Sequence, residues 1–371
     1  MQGEYTKVKA DAPAPAYRLT VITVCRNALA DLKPTVESVL RQKARGGISI
    51  EHVVVDGAST DGTPEWLAEQ LAAGNIERCV SEPDRGIYDA MNKGINLARG
   101  RVLAFLNAGD TYTDEDISRC VAPILEGKAK SAVGSAHYIE PASAGCWEMH
   151  PDTVRAYLDI IGCHQAYFFD TAATRNLGGY DSRAFRSAAD LELMNAFLRR
   201  YGMPHCDRTF VANFYMGGFS SNCWETQRHE FIEIHWRSWA QICERCRRDR
   251  RMAEAVCAVV ARHCCILGMG LNCKRDNLSA EKAHLRQMIR TLPLPLSLFS
   301  RRLLLPLTYA AAFAPGLPLP CKARLLHACE YLCAATELPP SLLSHLAKRR
   351  LFLPHAIWHT ILEKSRKIAH R

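Results

Sequence analysis

With 371 residues and 48% apolar side chains, the chain can bury one substantial core and a second unit, and long disorder is excluded. Its formal charge of +9 is unevenly placed: 24 Lys and Arg stand against 30 Asp and Glu up to His235, and 23 against 8 from Trp236 onward. A mildly acidic front half thus precedes a strongly basic back half, which implies an anionic partner for the tail, either a membrane surface or a nucleic acid.

Met1 to Tyr17 is polar and Ala/Pro-rich without an apolar core, so 1–17 reads as a flexible leader rather than a secretory signal. Leu19 to Val24 is a short β-branched run with the length of a buried parallel strand. Ala30 to Gln42 follows as a helix, with Pro34 early in it and Val36, Val39 and Leu40 on one face. Glu51 to Asp56 is a second buried strand ending on a carboxylate. The Gly57–Gly62 turn then leads to Thr63 as N-cap, Pro64 at the first helical position and Glu65 in the first turn. A further helix spans Gly86 to Ala98, with Ile87, Met91 and Ile95 at i, i+4 and i+8. The strand Val102 to Leu106 ends at Asn107-Ala-Gly-Asp110. This alternation predicts an α/β fold, a parallel sheet with helices on both faces. In such sheets ligands bind outside the carboxyl ends of the strands, where Arg26, Asp56, Asp84 and Asp110 all fall.

Those residues suit a diphosphate. A nucleotide base needs an acceptor for its ring N–H, which Asp56 at a strand tip supplies. Two phosphates need a divalent cation with oxygen ligands such as Asp110. The plainer alternatives are an Asp-Gly turn at Asp56 and a helix N-terminal acid at Asp110, ahead of Thr111–Ile117.

The ordered pieces are Thr23-Val-Cys-Arg26-Asn27, Thr35-Val-Glu-Ser38-Val-Leu-Arg-Gln42, Val55-Asp56-Gly57-Ala-Ser59-Thr60-Asp61-Gly62-Thr63, Ser81-Glu-Pro-Asp84-Arg-Gly86-Ile-Tyr88-Asp89-Ala-Met-Asn92-Lys93-Gly94 and Phe105-Leu-Asn107-Ala-Gly109-Asp110. Together they resemble the family 2 glycosyltransferases of bacterial surface-polysaccharide type, over about Arg18 to Asn222. The resemblance implies a GT-A fold over 18–230, a Rossmann-like sheet with a parallel core, and a nucleotide-sugar donor. By it Asp56 contacts the base, Arg26 and Asn27 line the same pocket, and Asp84 lies near base and ribose. Asn107 and Asp110 occupy the position of the acidic metal motif. Here the sequence departs from Asp-x-Asp: Asn107 stands first, and Asp110 is left as the single carboxylate ligand for Mn2+ or Mg2+, with phosphates and water completing the shell.

Further on come Gly162-Cys-His164-Gln165-Ala, Leu177-Gly-Gly179-Tyr180-Asp181 and Phe185-Arg186-Ser-Ala-Ala-Asp190-Leu191-Glu192. The resemblance places the general base of an inverting transfer in this last stretch. Asp190 is the candidate, and Glu192 its rival on another side of the helix. His164 touches the acceptor or the diphosphate, or is a satisfied core histidine. Gly217-Gly218 shapes the acceptor cleft or is a plain turn.

From about Phe231 the texture becomes helical and rich in Arg and Leu, so 231–371 reads as a basic α-helical C-terminal region. Leu303 to Pro320 is uncharged over 18 residues, but Pro306, Pro315, Gly316, Pro318 and Pro320 argue against a straight span. A segment lying in the interface, flanked by Arg301, Arg302, Lys322 and Arg324, suits an anionic membrane surface; packing on the core is the alternative. The expectation is a cytoplasmic enzyme, peripheral on the inner face of the cell membrane, with a saccharide or lipid-linked saccharide as acceptor. Sixteen scattered cysteines fit reduced thiols, and Cys243-x-x-Cys246 lacks a second pair to make a zinc site.

Two other classes compete. A nucleotidyltransferase would want a glycine-rich loop after the first strand, where Cys25-Arg26-Asn27-Ala28 has none. A non-catalytic membrane or nucleic-acid binder would use the tail, but Trp236 to Trp239 comes with no nucleic-acid motif, and no nucleic-acid partner is expected.

Overall fold

β1 (Leu19–Cys25) and β2 (Ile50–Asp56) are buried at all seven positions each, the pattern of parallel strands covered on both faces. The computed structural model describes residues 17–154, 156–217 and 224–249, with isolated helical positions between 251 and 291. It divides into two units, 1–227 and 228–371.

In the first unit, α1 (Leu29–Arg45) returns the chain from β1 to β2, burying Leu32, Val36 and Val39 and ending on Gly46 in the left-handed region. α2 (Thr63–Ala73) leads to β3 (Arg78–Ser81), and α3 (Ile87–Leu97) to β4 (Val102–Phe105). β1 pairs in parallel with β2 and β4, and β2 with β3. The register sets Cys25 opposite Asp56 and Asp56 opposite Ser81, so three strand tips end level.

The sheet continues through β5 (Thr111–Tyr112), α4 (Ser118–Leu125), β6 (Ser131–Glu140), β7 (Gly145–Met149), β8 (Tyr167–Asp170), α5 (Thr171–Asn176), α6 (Ala189–Tyr201) and β9 (His205–Tyr215). Among the described residues the order is β3-β2-β1-β4-β8-β6-β9-β5, with β7 on β6. β8 runs antiparallel to β4 and β6, so the parallel core is extended by a mixed half. Thr111 and Tyr112 pair with β9 and the next helix starts at Ser118, so Asp110 does not open a helix.

Two local readings change. Thr63 is the first helical residue of α2, and its N-cap is Gly62 at φ 91°. Asp61 does the capping: its Oδ1 accepts from the Thr63 N–H and hydroxyl, and its Oδ2 from the Leu29 N–H at 3.0 Å. The Thr63 and Leu29 bonds to the ionised carboxylate lower the Asp61 pKa. One carboxylate thereby fastens the starts of α1 and α2. The Asn92-Lys93-Gly94 motif, in turn, is about packing. Asn92 exchanges two hydrogen bonds with the Tyr180 backbone, at 2.8 and 2.9 Å, and a Cβ on Gly94 would lie 2.4 Å from Ile22 Cγ2. Gly94→Ala therefore overpacks α3 on β1. We expect a loss of about 1–3 kcal/mol, read as a lower denaturation midpoint at unchanged m-value.

α7 (Trp224–Arg237) begins four residues before the second unit, and within that unit α7 and α8 (Trp239–Arg248) carry buried Ile232, Ile234, Trp239 and Ile242. Cys243 and Cys246 are buried, and Cys243 Sγ lies 3.8 Å from the Thr291 carbonyl. The expected interfacial segment Leu303–Pro320 falls outside the described residues. Among the described residues no helix is long and apolar enough to cross a membrane.

Candidate active site

The loops after β2 and β4 both start beside the tip of β1. Gly57 N donates to Cys25 O at 2.9 Å, and Ala108 N to Val24 O at 3.3 Å. Successive residues of one strand thus anchor the Asp56 loop and the Asn107–Asp110 loop.

Asp56 is fully buried. Its carboxylate accepts from the Ser59 N–H at 3.0 Å, the Ser81 hydroxyl at 2.5 Å and the Ser59 hydroxyl. Asn27, at φ 49°, braces the same loop: its N–H donates to Ser59 Oγ at 2.7 Å, and its Oδ1 accepts from Thr60 N at 2.8 Å. A Cβ on Gly57 would lie 2.5 Å from Asp84 Oδ2 and 3.3 Å from Arg26 Cδ, so both side chains approach the backbone next to Asp56, and a larger residue there would displace the Asp84 carboxylate. Asp84 Oδ1 accepts from Gly86 N at 2.9 Å. Arg26, Asn27, Asp56 and Asp84 therefore share one corner of the sheet. Burial first, then the charges of Asp56, Asp61 and Asp84, drive the Cys25 thiol far above its usual range, so it stays neutral.

Asp110 is 5% exposed. Oδ2 accepts from Gln165 Nε2 at 2.9 Å and Oδ1 from Tyr215 N at 3.0 Å. Burial pushes its pKa up to about 7, against these two hydrogen bonds. Asn107 O accepts from Asp110 N at 3.0 Å, and Asn107 Oδ1 is buried without a hydrogen-bond partner. Among the described residues no group of three or more His, Cys, Asp or Glu gathers as a metal cage. An orphaned buried amide oxygen at Asn107 and a carboxylate three residues on at Asp110 are oxygen donors of the kind that suits a cation completed by substrate phosphates, the usual manner of Mg2+.

The 3₁₀ turn His164–Ala166 ties this corner to the next one. Gln165 reaches Asp110, and its neighbour His164 pairs through Nε2 with the Tyr180 hydroxyl at 2.8 Å and stacks on Phe105 at 5.5 Å. Burial lowers the His164 pKa against the pull of Asp190, which favours the neutral ring. Asp190 lies in the first turn of α6, partly exposed, and its Oδ1 accepts from the Tyr88 hydroxyl at 3.0 Å. The rival Glu192 is buried in an ion pair with Arg199 at 2.6 Å.

Tyr88, Gln165, Ser59 and Ser81 were not singled out by sequence reasoning. All four lie inside or beside the motifs of the sequence, Ser59 in the Asp56 loop, Ser81 and Tyr88 around Asp84, and Gln165 next to His164, but the motifs do not assign them a partner. Tyr88 meets Asp190 across 102 residues, which no local pattern reveals.

The sheet has a parallel core, and Asp56, Asp84 and Asp110 lie at the carboxyl edge of its strands or in the loops that follow, the arrangement that the resemblance to the GT-A fold implies. Structures of Staphylococcus aureus TarS with UDP share this fold at a TM-score of 0.53 and 15% identity, covering 86% of this chain and 90% of that one. The form holding UDP-GlcNAc matches at 0.54. The model for glycosyl transferase family 2 matches residues 20–185. An uncharacterized glycosyltransferase of Mycobacterium tuberculosis is 34% identical over 188 residues, 47% of this chain and 67% of the relative. A PGL/p-HBAD biosynthesis glycosyltransferase of Mycobacterium bovis is 32% identical over 179 residues, 48% of this chain and 67% of its own. The chain belongs to the family 2 glycosyltransferases.

Proposed function

We propose that this enzyme transfers a sugar from a nucleotide-diphosphate sugar to an acceptor hydroxyl with inversion at the anomeric carbon. The supporting observation is the Asp190 carboxylate at the start of α6, held by the Tyr88 hydroxyl; the Tyr88 ring packs on Tyr180, Tyr180 pairs with His164, and the neighbouring Gln165 reaches Asp110. The acceptor oxygen forms a bond to the anomeric carbon as its proton passes to Asp190. The bond from that carbon to the diphosphate oxygen breaks, and the nucleoside diphosphate leaves with the electron pair. Asp56, Asp84, Arg26 and Asn27 form the nucleotide end. Asn107 Oδ1 and Asp110 would hold Mn2+ or Mg2+ together with the donor phosphates, and a cation there offsets charge on the departing diphosphate.

The acceptor we propose is a lipid-linked saccharide, met at the inner face of the cell membrane, on the strength of the 23 basic against 8 acidic residues after His235. PGL/p-HBAD biosynthesis, which names one relative, is compatible with such an acceptor.

A thermal-shift screen with UDP-, GDP- and dTDP-sugars, with and without Mn2+, tests the donor reading. Saturation at 100 times Kd stabilises by about 2.7 kcal/mol, and only the true donor class reaches it. Asp56→Asn, which keeps the Ser59 and Ser81 contacts in outline, loses that shift. A screen in which no nucleotide sugar moves the midpoint, or in which Asp56→Asn responds like the wild type, removes the donor assignment.

A further inference from the structure

Asp190 is not free to turn. Its Oδ1 accepts two hydrogen bonds, from the Tyr88 hydroxyl at 3.0 Å and from the Leu191 N–H at 2.9 Å. Oδ2 forms no hydrogen bond among the described residues, and the side chain is partly exposed. The two oxygens of this carboxylate are therefore unequal: one is occupied by protein donors and one is open.

The phenol that makes them unequal is itself clamped. Tyr88 is 7% exposed, and its ring lies 5.3 Å from that of Tyr180. Tyr180 is fixed by the His164 ring at 2.8 Å and by Phe105, edge-on at 5.1 Å. Burial first, then the charge of Asp190, raises the Tyr88 pKa well above its usual value, so the phenol stays protonated and can only donate toward the carboxylate. Tyr88 also occupies a particular place in the chain. It sits in the first turn of α3, two residues after Gly86, whose N–H holds Asp84. Asp190 lies in the first turn of α6. One hydrogen bond therefore joins the helix entered from the nucleotide corner to the helix that carries the base.

We infer that Tyr88 is the positioning residue of the base: by occupying Asp190 Oδ1 it presents Oδ2 to the acceptor and makes Oδ2 the atom that takes the acceptor proton. The inference rests on the reading of Asp190 as base. Tyr88 keeps its own proton throughout and touches neither sugar nor diphosphate. Its effect is exerted in two ways. A hydrogen bond to the ionised carboxylate favours that form, and a fixed carboxylate holds Oδ2 at near-attack distance, where a misplacement of about 1 Å costs on the order of 100-fold.

The test compares Tyr88→Phe, Asp190→Asn and the double variant. The assay is hydrolysis of the nucleotide sugar chosen by the thermal-shift screen, with water as the accepting hydroxyl. Tyr88→Phe is expected to lower kcat by about 10- to 100-fold at unchanged donor KM and to move the acid limb of the kcat profile to higher pH. In the Asp190→Asn background the same change has no further effect, because both act on one group. A merely structural tyrosine would lower stability and leave the pH limb in place. If Tyr88→Phe does not fold, 3-fluorotyrosine at position 88, a stronger donor of nearly equal volume, moves the acid limb to lower pH instead. The inference is overturned if Asp190→Asn is inactive while Tyr88→Phe, or the fluorinated protein where Phe does not fold, keeps the wild-type rate and pH limb. Asp190→Asn turning over at the wild-type rate removes the base itself, and the Tyr88 role with it.

Discussion

Asp190→Asn is expected to lower turnover by about 10²- to 10⁴-fold while the donor still stabilises the protein as it does the wild type. The substitution is nearly isosteric, and the amide oxygen can keep the contacts to Tyr88 and Leu191 N that Oδ1 makes now. The open position then carries an NH2 group, which cannot accept a proton. Glu192 offers no rescue, since its carboxylate is buried in the ion pair with Arg199 and lies two residues further round the helix. Turnover and donor-induced shift measured on one preparation separate loss of chemistry from loss of binding. Wild-type turnover in Asp190→Asn would leave Asp190 as an ordinary acid in the first turn of α6.

Much of this site is legible in the sequence because parallel strands carry a dense signal. β1, β2 and β4 are buried on both faces, so Leu19 to Val24 and Val102 to Leu106 read as unbroken apolar or β-branched runs and Glu51 to Asp56 carries a central Val-Val-Val, and each boundary falls within a residue of the observed one. The carboxylates at their ends then stand out by contrast. Position alone does not reveal what a carboxylate is bonded to. Asp61 is a capping group shared by two helices and Asp56 is satisfied by two serines, and neither pairing has a local period. The mixed half is harder still. The bonds from Tyr215 to Asp110 and from Tyr88 to Asp190 span 105 and 102 residues, and both depend on β9 and α6 folding back onto the core. Asp110 reads as a helix-opening acid or a metal ligand from its neighbours, whereas the pairing of Thr111 and Tyr112 with β9 places it in a buried corner. The tail poses a different problem. Its charge is plain, but which surface the charge meets is set by packing that composition does not encode.

That buried corner carries the second large expectation, a trade between stability and activity at Asp110. In the unfolded chain this carboxyl titrates near its ordinary value of 3.8; in the fold burial pushes it up to about 7. Between those two values the folded state holds a proton that the unfolded state has lost, so stability is greatest below pH 3.8 and falls as pH rises through 7. At about 1.36 kcal/mol per unit, the cost of the ionised form above pH 7 is on the order of 4 kcal/mol. Asp110→Asn removes that cost: its oxygen can accept from Tyr215 N as Oδ1 does now, and a flipped Gln165 amide can accept from its NH2. The variant should therefore unfold at a higher temperature than the wild type at pH 8, by several degrees, with the gap closing toward pH 4. A cation bound by the ionised carboxylate with the donor diphosphate would recover the cost in the wild type alone. Donor plus Mn2+ should then raise the wild-type midpoint more than that of Asp110→Asn, and turnover by the variant should drop. Equal responses to donor and Mn2+ in both proteins would mean that Asp110 holds the Gln165 and Tyr215 corner together and is not a metal ligand.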